Sequence, residues 1–90
     1  MQANNKASII IKTLGEIVRE LRQKSNKSIY KIAAEASMSK STWREVEVFA
    51  CNNINLTTFW KIAEGLEIPP EILLIKLKEK LPKDFSLIDE

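Results

Sequence analysis

The chain has 90 residues, of which 44% are apolar and 29% are charged, and this composition is typical of one globular domain with a single core. It contains no histidine and one cysteine, Cys51, which excludes an internal disulfide, a zinc site, a Ser-His triad and a Cys-His dyad. No apolar run approaches the roughly 20 residues that span a bilayer, so we expect a cytoplasmic protein without a membrane partner.

The formal net charge of +2 is unevenly distributed along the chain. Residues 1–30 carry six lysines and arginines against two glutamates, a net charge of +4, whereas residues 61–90 carry five basic against seven acidic groups, a net charge of −2. The basic end would therefore adjoin a polyanion, and the acidic end would point away from it. On charge alone, solvated faces of lysine-rich helices are the simpler interpretation.

The first predicted element is a helix over residues 7–24. Glycine and proline are scarce, and only the tail alternates apolar with polar side chains, so the whole pattern predicts an all-α fold. The apolar stripe of this helix is formed by Ile10, Leu14, Leu21 and either Ile17 or Val18. The helix ends at a polar run, residues 25–27, in which Asn26 can adopt a left-handed conformation.

Two short helices joined by a tight turn follow, over residues 29–36 and 40–49. Ser28 and Ser39 precede them and are predicted to be their N-caps, because a serine hydroxyl accepts a hydrogen bond from a free backbone N–H of the first turn. Ser37 lies where the chain must turn sharply, so we expect it to have a positive φ.

The side chains of this helix pair are spaced for close packing. Ala33 lets the two helices approach each other, and Trp43 and Val46, three residues apart, share the inward face of the second helix. The outward arc of that helix carries Lys40, Ser41, Arg44, Glu45 and Val48. A helix presented in this way is of a size to enter the major groove of DNA.

Two further helices are predicted after a polar break. Asn55 can cap a helix over residues 56–66, with a buried face made of Leu56, Phe59, Ile62, Ala63 and Leu66. Pro69 and Pro70 open a fifth helix, which Pro82 stops. Its apolar residues cover more than one face, so one side is expected on the core and the other against a second copy of the chain. The residues assigned to that dimer interface are Ile72, Ile75, Leu77, Leu81 and Phe85.

The chain therefore divides into three parts. Residues 1–13 form an N-terminal arm and the start of the first helix, and residues 14–81 form the five-helix domain. Residues 82–90 form a tail, in which residues 84–89 alternate enough for a short strand or are loose.

Three stretches follow one another in unbroken order and carry a family resemblance. They are LGEIVRELRQKSNKS at 14–28, IAAEASMSKSTWREVE at 32–47 and NLTTFWKIAEGLEIPPEIL at 55–73. Over about two thirds of its length the chain resembles the five-helix DNA-binding domain of the phage repressor and Cro proteins, the XRE-type regulators. The resemblance implies a sequence-specific transcriptional regulator that binds double-stranded DNA as a homodimer, with no cofactor and no metal.

The resemblance also implies roles for individual residues. An arginine late in the first helix of the family pairs with a glutamate that closes the recognition helix, and these positions are Arg22 and Glu47. The family reads bases from the positions of Lys40, Ser41, Arg44 and Glu45, and the remaining contacts are to the DNA backbone. The full set expected at DNA is Ser28, Ile29, Ser39, Lys40, Ser41, Thr42, Arg44, Glu45, Asn52, Asn53 and Asn55.

The chain departs from the family pattern at three places. Ile29 stands where a phosphate-binding glutamine is common, and Ser37 stands where the turn usually has glycine. Residues 48–53, which follow the recognition helix, carry no charge and are about one residue longer than usual. Asparagines there can hydrogen-bond the DNA backbone but release no counterions, so we expect binding to depend weakly on salt.

The alternative function is a protein-interaction module on the same scaffold, such as an antitoxin component with weak or no DNA binding. An exposed apolar patch made of Ile29, Phe49 and Ile54 would favour this partner class, whereas an outward-pointing Lys40 and Arg44 would favour DNA. An enzyme is not indicated, because no nucleophile has a base beside it and the acidic residues do not have metal-ligand spacing.

Overall fold

The computed structural model describes residues 6–88, in which five α-helices follow one another without a β-strand. The helices are α1 (Lys6–Lys24), α2 (Ile29–Glu35), α3 (Lys40–Glu47), α4 (Leu56–Gly65) and α5 (Pro70–Lys80). The all-α prediction is confirmed, and every observed helix end lies within two residues of its predicted place. Residues 84–88 contain no strand, while residues 1–5 of the predicted arm and residues 89–90 of the tail lie outside the described residues.

The three predicted N-caps are all present. Each cap side chain accepts a hydrogen bond from the backbone N–H three residues later, which satisfies one of the free donors of the first turn. The three bonds are Lys31 N–H to Ser28 Oγ (3.0 Å), Thr42 N–H to Ser39 Oγ (3.1 Å) and Thr58 N–H to Asn55 Oδ1 (2.8 Å). The caps explain why the starts of α2, α3 and α4 were predicted to the residue.

Within residues 6–88, four residues other than glycine have a positive φ, and two of them were predicted. Asn26 (φ 59°) follows α1, and Ser37 (φ 57°) lies in the turn between α2 and α3. Phe49 (φ 61°) and Glu67 (φ 61°) were not predicted. Phe49 ends α3 early, since the reversal lets Ala50 donate its N–H to the carbonyl oxygen of Glu45.

Every helix contributes one of the five largest fully buried side chains of the core, which are Val18, Ile32, Trp43, Ile62 and Leu73. In α1 both Ile17 and Val18 are buried, so the two residues are not alternatives. The prediction that Leu56 is buried was wrong: it is 72% exposed, because it is the first residue of α4 and lies beyond the end of the core.

In α5 the buried residues are Leu73 and Leu77, one turn apart. The prediction that Leu77 lies in a dimer interface was therefore wrong, because its side chain fills the core of its own chain. Of the other assigned residues, Ile72 and Ile75 are exposed, whereas Leu81 and Phe85 are half-buried.

No helix within residues 6–88 has both the length and the apolar character required to cross a bilayer.

Candidate nucleic-acid interface

The candidate site is the outer face of α3, which we define as Lys40, Ser41, Thr42, Arg44 and Glu45. All five side chains are exposed. The opposite face of the same helix carries Trp43, Val46 and Glu47, which are all buried. The inward position predicted for Trp43 and Val46 is confirmed, and α3 is therefore a helix with one face fixed in the core and one face open.

The buried carboxylate of Glu47 connects α3 to α1. Arg22 donates from Nε to Oε2 at 2.6 Å and from Nη2 to Oε1 at 3.0 Å, so the ion pair is bidentate. A third guanidinium bond, from Nη1 to the carbonyl oxygen of Lys27 at 2.9 Å, holds the end of α1 in the same network. Two parallel bonds fix direction as well as distance, so α3 cannot roll about its axis without breaking one of them.

Trp43 makes a contact to the same carboxylate that sequence reasoning missed. Its Nε1 donates to Glu47 Oε2 at 2.7 Å, and the bond is buried. The spacing of the two residues, i and i+4 on the inward face, was the available signal, because such pairs meet on a helix. The hydrogen bond to Glu47 raises the pKa of the Arg22 guanidinium above its ordinary value, since it stabilises the charged form more than partial burial disfavours it.

The capping residues near α3 are only partly available to a ligand. Ser39 Oγ accepts a hydrogen bond from the N–H of Thr42 and donates one to the hydroxyl of Thr42 at 2.7 Å. Asn55 Oδ1 likewise accepts from Thr57 and Thr58. Asn53 Oδ1 accepts from the N–H of Ile54 at 3.0 Å. The side-chain NH₂ groups of Asn53 and Asn55 make no hydrogen bond within residues 6–88, so these are the donors that remain for a phosphate.

The apolar patch that would favour a protein partner does not form as expected. Phe49 is 41% exposed, but Ile29 and Ile54 are half-buried and pack against the core. The Ile29 side chain is thus occupied in packing, and only its backbone N–H remains as the group predicted to face phosphate. Lys40 and Arg44 are exposed, which is the arrangement that favours a polyanion.

Lys27, in the connection between α1 and α2, is a cation whose charge is already compensated. Its Nζ lies 2.6 Å from Glu35 Oε1 at the end of α2 and 3.9 Å from Glu67 Oε2 after α4. The hydrogen bond between them raises the pKa of Lys27 and lowers that of Glu35, so both groups are charged across the neutral range. Lys27 therefore ties three segments together and is not a free anchor for phosphate.

A second exposed feature, an apolar groove of about 420 Å³, lies away from the outer face of α3. It runs between the start of α1, residues 52–55, the start of α4 and the middle of α5. Leu56, Leu74 and Leu87 line it and are more than half exposed. Trp60, one turn after Leu56, is also 51% exposed. Sequence reasoning missed this groove because it assigned Leu56 to the core.

The chain matches no model of a known protein family, and it matches no curated protein sequence. The likeness to the XRE-type regulators therefore rests on the three stretches of sequence quoted above. The geometry of α3 is independent of that likeness and stands on the contacts of Trp43 and Glu47.

Proposed function

We propose that this chain is an XRE-type, sequence-specific DNA-binding regulator of transcription that inserts α3 into the major groove. The observation that carries the proposal is the two-sidedness of α3. Its outer face is exposed and polar, while Trp43 and the Arg22–Glu47 pair hold the opposite face against the core. The major groove is about 12 Å wide and admits one α-helix, so a rigid helix with a free polar face is suited to it.

The side chains of the outer face have the chemistry that base edges require. Arg44 and Lys40 can donate to O6 and N7 of guanine, and Glu45 can accept from N4 of cytosine. Ser41 can bond several bases, while Thr42 faces the sugar-phosphate backbone. The free amide groups of Asn53 and Asn55, with Asn52, would bond phosphates of the flanking strand.

The proposal includes a homodimer on a two-fold site. The exposed residues of α5, Ile72, Leu74 and Ile75, form an apolar surface that one chain leaves open. Two copies joined there would present their α3 helices to successive major grooves, about 34–36 Å apart. The pairing of half-sites would then double the number of bases read.

A second candidate function is an interaction module that binds another protein. The groove beside Leu56, Leu74 and Leu87, together with Trp60, is the observation that favours it, because an exposed apolar surface of this kind commonly marks a protein contact. Base reading uses the outer face of α3, which does not line the groove, so DNA contact and protein binding can be tested separately, although Leu74 belongs both to the groove and to the proposed dimer surface.

The test uses DNA fragments selected from a random pool by the wild-type chain. In fluorescence-anisotropy titrations, Lys40→Ala or Arg44→Ala should each weaken binding by about 1–3 kcal/mol and relax the preference at one base position. Lys76→Ala, an exposed lysine of α5, is the matched control and should leave affinity unchanged. No enriched sequence in the selection, or unchanged affinity in both α3 variants, would reject the proposed reading face and favour the interaction module.

A further inference from the structure

The connection between α3 and α4 contains no cation. Residues 48–55 read VFACNNIN, so no lysine or arginine follows the outer face of α3 in the chain. Neutral donors can hydrogen-bond a phosphate, but only a cation displaces the counterions condensed on DNA. A helix inserted in the major groove has phosphates on both of its flanks, and this flank lacks a charge from its own segment.

The start of α1 lies against this uncharged connection. A cleft of about 450 Å³ is shared by the two segments, and Lys12 lines it together with Phe49, Cys51 and Asn52. Ile11, the residue before Lys12, is 8% exposed and points into the fold. The burial of Ile11 fixes the rotation of α1 about its axis. Lys12 points about 100° further around the helix, and in this rotation it lies at the cleft.

The ammonium group of Lys12 has no partner within the described residues. The side chain is exposed, and it makes neither an ion pair nor a hydrogen bond in residues 6–88. In this it differs from Lys27, whose charge is compensated by Glu35 and Glu67. A lysine ammonium on a flexible four-carbon stem can reach a nearby phosphate without a fixed geometry.

The cleft reaches the segment that directly follows α3, because Phe49, Cys51 and Asn52 of that segment line it. Asn52, one of the residues expected at the DNA backbone, lines the same cleft as Lys12. Lys12 therefore lies beside the connection that leads on from the helix proposed to read bases.

We propose that Lys12 binds a backbone phosphate beside the base pairs read by α3, and so replaces the cation that residues 48–55 lack. This inference rests on the proposed function, because it requires α3 to lie in the major groove. Its consequence is a steeper salt dependence than the uncharged connection alone would give.

The experiment measures the dissociation constant against salt concentration for two labelled duplexes, one selected from a random pool and one with the same bases scrambled. The slope of log affinity against log salt is negative, and Lys12→Gln should make it shallower by about 0.9 on both duplexes, as expected for one lost phosphate contact. Lys12→Arg should restore the slope. Lys76→Gln, which removes the same charge on α5, is the matched control and should leave it unchanged.

The outcomes separate the two proposals. A slope for Lys12→Gln equal to that of Lys76→Gln would overturn the role of Lys12 while leaving sequence-specific binding intact. Equal affinity of the wild-type chain for the selected and scrambled duplexes would overturn sequence-specific reading and, with it, the placement of the Lys12 contact beside bases that α3 reads. Failure of the wild-type chain to bind either duplex would overturn both.

Discussion

At the scale of single residues, the most consequential group is the carboxylate of Glu47. It is 3% exposed and accepts bonds from Arg22 and from Trp43. A buried ion pair need not add net stability compared with apolar side chains, but removal of one partner leaves an uncompensated charge in the core. Glu47 therefore makes the position of α3 depend on α1, because its main partner lies there.

We expect Arg22→Ala to destabilise the fold by about 3–5 kcal/mol, since the Glu47 carboxylate would remain buried without its cation. Urea unfolding followed by circular dichroism measures this change. Arg19→Ala is the control, because Arg19 is exposed on α1 and has no ion pair within residues 6–88; its effect should stay within about 0.5 kcal/mol. Equal unfolding midpoints for the two variants would contradict the role given to the pair.

The sequence predicted some of these residue-scale features and could not predict others. The family resemblance implied that Arg22 and Glu47 pair, and the spacing of Trp43 placed it on the inward face. The bond from the indole to the carboxylate depends on the orientation of the ring, which spacing does not determine. The left-handed φ of Ser37 was expected from the turn, whereas a phenylalanine at position 49 gives no sign of one.

At the scale of helices, the close approach of α1 to the end of α3 depends on Gly15. A Cβ built on this residue would collide with the carbonyl oxygen of Val46 and lie 2.8 Å from the ring of Phe49. The backbone oxygen cannot turn aside as a side chain can. The absence of a side chain at Gly15 therefore sets the distance between α1 and the helix that carries the candidate site.

Gly15→Ala should therefore destabilise the chain by about 1–3 kcal/mol through overpacking, although alanine is the better helix former. Gly65→Ala is the comparison, because its nearest contacts are longer, 2.8 Å to Cβ of Ala36 and 3.2 Å to the ring of Trp43. We expect its loss in thermal unfolding to be smaller. A gain in stability from Gly15→Ala would show that α1 and α3 are not in this contact.

Helix starts were easier to predict than helix faces. Ser28, Ser39 and Asn55 carry a local chemical signal that acts within three residues, so it can be read from the sequence. The four adjoining apolar residues of α5, Ile72 to Ile75, contain no such signal, because several rotations of the helix would bury two of them. Packing against the other four helices selects Leu73 and Leu77, and this could not be predicted from α5 alone.

At the scale of the whole molecule, the polar and the apolar exposed surfaces lie on different helices. The outer face of α3 is polar, whereas the exposed part of α5 and the groove beside it are apolar. The all-α class and the order of the helices could be predicted because long amphipathic patterns determine them. The groove could not, since it depends on how the start of α1, residues 52–55 and α5 come together.

The dimer proposal predicts a mass in sedimentation equilibrium that rises with concentration toward twice the 10.3 kDa of one chain. Ile75→Asp should shift the equilibrium to monomer, because it places a charge in the apolar surface of α5. Tyr30→Asp places the same charge on α2, at a residue that is 72% exposed against 50% for Ile75, and should leave the dimer intact. A single-chain mass for the wild type at every concentration would contradict the dimer.

The central claim is that the outer face of α3 contacts the bases of duplex DNA. It is tested most directly by NMR titration of the isotopically labelled chain with a duplex selected from a random pool. We expect the largest backbone amide shifts at residues 39–45 and smaller ones at the start of α2 and at residues 52–55. Base contact should cause no amide shifts in α5. Shifts confined to α5 and the apolar groove, with residues 39–45 unaffected, would contradict the claim.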